Sequence, residues 1–93
     1  MRNAEMVRQL ILLAEQLGLE VRSEVLGESP GGLCVLPRRR FILLDATLPP
    51  DRQADVLASA LVEAGRSGLA PDLDEVYVLP AVRRFLEDYL PEG

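Results

Sequence analysis

The chain has 93 residues, 48% of them apolar, a net charge of −5 and an isoelectric point near 4.6. That length supports one core, burying about 60–65% of the surface the unfolded chain exposes, and the apolar share points to a globular rather than a disordered chain. The acidic balance argues against general nucleic-acid binding, the single cysteine Cys34 excludes an internal disulfide, and no apolar run approaches the about 20 residues of a bilayer span.

The first predicted element is a helix over residues 3–17. Met6, Leu10, Leu13, Ala14 and Leu17 recur at three- and four-residue steps and share a face. Ile11 and Leu12 widen the stripe, and Gly18 suits a left-handed helix end. Residues 19–26 alternate as a half-buried strand does, with Leu19, Val21, Ser23 and Val25 on one side. Gly27 to Gly32 reads as a flexible loop, residues 33–36 as a short strand, and Pro37-Arg38 as a turn. Residues 39–45 form the most apolar strand, suited to a central position.

A second helix follows Leu48-Pro49-Pro50, with Asp51 near its positive end. Ala54, Leu57, Ala58, Leu61 and Ala64 make one stripe, extended by Val56, Ala60 and Val62, and Gly65 and Gly68 end the helix. Residues 71–79 connect, with an extended piece at 75–78. The last helix opens at Pro80, a favoured first-turn proline. It places Val82, Phe85, Leu86, Tyr89 and Leu90 on one face and closes at Pro91. The order is therefore α-β-β-β-α-α in one domain, residues 1–93. Short strand connections predict a three-stranded antiparallel meander with the helices on one face, an α+β fold.

Every basic residue is arginine, and lysine and histidine are both missing. With the many Leu, Ala, Gly and Pro residues, this points to a GC-rich bacterial genome, and a thermophilic source is compatible with it. The start of the chain carries Glu5 and Arg8 beside a short apolar run, unlike a signal peptide. A cytoplasmic protein is expected.

Residues 41–63, FILLDATLPPDRQADVLASALVE, run strand, turn, helix. Arg52-Gln53 and Leu57-Ala58 fit the frame that precedes HExxH, and over residues 3–65 the chain resembles the ImmA/IrrE type of small metallopeptidase domain. That resemblance implies a first helix, a three-stranded sheet and a metal-binding helix. It would put the two zinc-binding histidines at Ser59 and Glu63 and the catalytic glutamate at Ala60. HExxH works because two imidazoles one helical turn apart meet one Zn²⁺ while the glutamate takes a proton from the bound water. Serine is a poor neutral zinc ligand and alanine cannot take a proton, so a domain of this ancestry has a dead site. No cofactor, no metal and no catalytic residue is expected. The stretches GGLCVLP and VYVLPAVRRFLE are also similar to parts of small uncharacterised bacterial proteins, a likeness that implies no activity.

Other residues carry weaker signals. Cys34, flanked by Leu33 and Val35, reads as a buried strand thiol; use as a nucleophile would need a base or cation to form the thiolate. Arg38, Arg39 and Arg40 could grip a phosphate or a carboxylate partner, or could simply be a solvated turn that guards a sheet edge. Asp72, Asp74 and Glu75 lack calcium-loop spacing and read as solvated acids. Asp45 reads as the cap of the following turn.

The leading expectation is a non-enzymatic protein-interaction domain, most simply a homodimer: both long helices are apolar over a wide arc, and a three-stranded sheet has two edges. An enzyme or metal-site remnant using Glu63, Asp45 or Cys34, and a nucleic-acid accessory role through Arg38–Arg40, are the alternatives. No membrane partner is expected, and no small-molecule ligand is indicated.

Overall fold

The computed structural model describes residues 1–91. Its elements are α1 (Asn3–Gln16), β1 (Glu20–Glu24), β2 (Gly31–Leu36), β3 (Arg39–Asp45), α2 (Pro50–Arg66), a 3-10 turn (Leu73–Glu75) and α3 (Pro80–Glu87). Met6, Leu10, Leu13 and Ala14 form the buried face of α1, as their spacing predicts. Gly18 follows at φ +84, the left-handed geometry that favours glycine. On α2, Ala54, Leu57, Ala58, Ala60, Leu61, Val62 and Ala64 are all buried.

The sheet order is β1-β3-β2. β3 is central, as its apolar run predicts, but the sheet is mixed. β1 runs parallel to β3, with Glu20 beside Phe41 and Glu24 beside Asp45. β2 runs antiparallel to β3, with Gly31 beside Leu44 and Leu36 beside Arg39. The antiparallel meander is thus corrected. Two physical facts account for the difference. The two-residue turn Pro37-Arg38 makes β2 and β3 obligatory neighbours. Residues 25–30 are long enough to step across the end of β3, two strand spacings of about 4.8 Å each, so β1 reaches the other side of β3. The route from β1 to its parallel partner then spans residues 25–38, within the about a dozen or more residues a parallel connection needs.

Three local expectations are also revised. Gly31 and Gly32 belong to β2 rather than to a flexible loop. Gly31 has φ +107, and a Cβ there would lie 2.0 Å from the Leu43 carbonyl oxygen; only glycine lets the two strands approach this closely. Gly65 lies inside α2, and the left-handed turn comes at Gly68, φ +71. The connection to α3 opens with a 3-10 turn at Leu73–Glu75, because the Asp72 carboxylate accepts the Asp74 N–H at 2.9 Å and starts it; Glu75 is therefore helical, and the extended backbone expected at 75–78 begins only at Val76, φ −126 and ψ 156.

Side chains alternate across the sheet. Ile42 and Leu44 of β3 enter the main core with both long helices, and Val21 of β1 and Leu33 of β2 pack against it. α1 lies over β1, and α2 over β2 and β3. Leu10, Leu19, Ile42, Leu44, Leu57 and Leu61 are the largest fully buried side chains, each contributing about 1.5–3 kcal/mol by burial. The opposite sheet face carries Glu20, Arg22, Cys34, Leu36, Arg39, Phe41 and Leu43. Phe41 is buried outside the main core, with the Arg22 and Arg39 guanidiniums each 5.6 Å from its ring centre. No described helix is long and apolar enough to cross a membrane.

Candidate functional site

The positions singled out on the second helix come together at its outer flank. Arg52, Val56, Ser59 and Glu63 follow one another at steps of four, three and four, so they share one side of α2. With Asp55 and Ala60 they form one wall of an open groove of about 500 Å³, and residues 30–33 form the other. Ser59 and Glu63 are exposed there, whereas Ala60 is buried. The Glu63 carboxylate accepts the Ser67 hydroxyl at 3.0 Å and lies 3.9 Å from Arg66.

The wall opposite α2 is the free edge of β2. The phase of its hydrogen bonding follows from one contact, the Asp45 N–H donating to the Pro30 carbonyl at 3.0 Å. In an antiparallel ladder bonded pairs alternate, so Gly32, Cys34 and Leu36 turn their main-chain groups toward β3. Leu33 and Val35 turn theirs outward. The two sheet edges differ in character. β1, EVRSE, alternates charges along a short strand, a common guard against edge pairing. β2, GGLCVL, carries no charge and leaves Val35 and Leu36 about half exposed, at 53% and 49%.

The other candidates are dispersed. Cys34 lies in a strand, as the sequence suggests, but is half-buried rather than buried, on the sheet face opposite the helices, its Sγ 3.7 Å from the Gly32 carbonyl oxygen. Asp45 is buried at the end of β3, where its Oδ1 accepts the Thr47 N–H at 2.9 Å and the Thr47 hydroxyl at 2.7 Å. Those bonds hold its carboxyl below the ordinary value of 3.8, first the backbone bond and then the hydroxyl, with a smaller contribution from the Leu26 N–H and against the effect of burial. It caps the turn, as its position predicts, and also ties down the crossing segment 25–30. Asp45 and Cys34 lie on the sheet face away from α2, so Glu63 is not gathered with them. Among the described residues no three His, Cys, Asp or Glu side chains are placed to hold a metal ion.

The arginine run is divided by its setting. Arg38 sits in the exposed turn. Arg39 pairs with Glu20 at 3.1 Å, and Arg40 donates to the Leu69 carbonyl. In the acidic segment, Asp74 pairs with Arg83 at 3.2 Å.

In the sequence Arg52 belongs to the frame that resembles the run before HExxH, and Val56 extends the apolar stripe of the second helix. The signal for their grouping was the helical spacing they share with Ser59 and Glu63. The outward amides of β2 had no sequence signal, because they depend on which strand is its neighbour. No family model matches the chain, and neither a curated protein nor a solved structure matches it.

Proposed function

We propose that this protein is a non-enzymatic interaction domain that works as a homodimer, on a zincin-like scaffold whose metal site has been lost. The observation that carries this reading is the unguarded edge of β2. An uncharged strand with exposed Val35 and Leu36 presents unpaired main-chain donors and acceptors, and such an edge favours pairing with another strand. The chemistry of α2 supports the non-catalytic half of the reading. Ser59 and Ala60 replace an imidazole and a general base, and Ala60 is packed inward. Glu63 alone offers a metal one carboxylate, fewer ligands than the three or four that a zinc site uses.

Size-exclusion chromatography with light scattering tests the proposal. The expected mass at high micromolar concentration is about twice the 10.2 kDa of one chain, falling on dilution. A mass of one chain throughout that range would overturn it.

A further inference from the structure

We infer that the second copy docks edge to edge along β2 and brings the two α2 helices together antiparallel, with Arg52 of each copy facing Glu63 of the other. This rests on the homodimer reading above and adds where and how the copies meet.

The packing of α2 fixes the direction in which its outer flank points. Its inner side meets α1, its underside meets β2 and β3, and α3 is tied to it through the Tyr89 hydroxyl on Asp55. Arg52, Val56, Ser59 and Glu63 are left facing sideways, off the β2 edge. A strand added to that edge lies about 4.8 Å beyond β2. The helix above the added strand then falls within the about 8–10 Å at which helices pack.

Two-fold symmetry decides what meets what. In an isologous contact each residue faces its counterpart in reversed order. On an antiparallel helix pair, reversing the series Arg52, Val56, Ser59, Glu63 sets Arg52 against Glu63, and Val56 against Ser59. The cation and the anion thus stand at opposite ends of one flank, with smaller side chains between them. The same surface is complementary to itself after a half-turn. The β2 edge meets the same requirement: it has no charge to oppose its own copy, and Leu33 and Val35 offer both N–H and C=O outward.

Charge reversal tests the pairing. Arg52→Glu and Glu63→Arg each place two like-charge contacts in the dimer, and each is expected to weaken association about tenfold or more. Both residues are exposed, so circular dichroism should show the fold unchanged. Mixing the two variants restores complementarity at both contacts, and a heterodimer of wild-type affinity is expected. The double variant should also dimerise with itself. Val35→Pro removes an outward N–H that the β2–β3 ladder does not use, and is expected to yield a folded monomer. If the wild type dimerises but neither single reversal weakens it, or if the weakened variants fail to combine, this interface is wrong while the homodimer stands. A monomeric wild type would remove both.

Discussion

Gly31 and Asp45 show how single residues set this topology. At Gly31 a positive φ and a 2.0 Å approach to the Leu43 oxygen exclude any side chain. Gly31→Ala is therefore expected to lower unfolding free energy by about 2–5 kcal/mol, read as a shift in the urea midpoint. Asp45 fastens the segment that carries the chain past the end of β3. Its pKa is lower folded than unfolded, so its stabilising contribution is present above about 3.8 and disappears as pH falls through the lower folded value. Urea titrations at neutral and acid pH should show that loss, and Asp45→Ala should show less of it. The sequence made the capping role of Asp45 readable, because a carboxylate after a strand and before a turn is a local pattern. The role of Gly31 was not readable, because a Gly-Gly pair looks like a loop until the neighbouring carbonyl is known.

Helices and strands were legible where their signal is periodic. α1 and α2 bury the main stripes their spacing defines, although Leu12, which widens the first, is exposed and Val56, which extends the second, is half-buried, and β3 takes the centre that its apolar run suits. The order of strands was not legible, since alternation identifies a strand without naming its neighbour. The groove beside α2 was hidden for the same reason: helical spacing groups Arg52 with Glu63, but only the sheet order puts β2 next to them. Leu57 lies in the centre of the α2 stripe and is fully buried; Leu57→Ala should cost about 2–5 kcal/mol, measured by chemical denaturation. α3 is short and depends on its docking. Tyr89, packed against Phe85 at 5.4 Å between ring centres, donates to Asp55. Burial, then the bond and charge of Asp55 and the charge of Asp88, push its phenol up to about 12. A raised value means that this tie holds in full below the unfolded value of 10.0 and is lost as pH rises through about 12. In Tyr77→Phe, Tyr89 is the one remaining phenol, and its ultraviolet titration should have a midpoint of about 12.

The molecule as a whole has one guarded edge, one unguarded edge and helices on a single side of the sheet. A homodimer formed along β2 would double the sheet and join the two α2 flanks. Association of the folded state alone also makes stability depend on concentration. The most direct test is amide hydrogen exchange at Leu33 and Val35. Their N–H groups have no partner within the β2–β3 ladder, so protection there that rises with protein concentration comes from another chain. The account predicts strong protection of both amides at high protein concentration, lost on dilution. Rapid exchange of both at every concentration, in a folded protein, would contradict it.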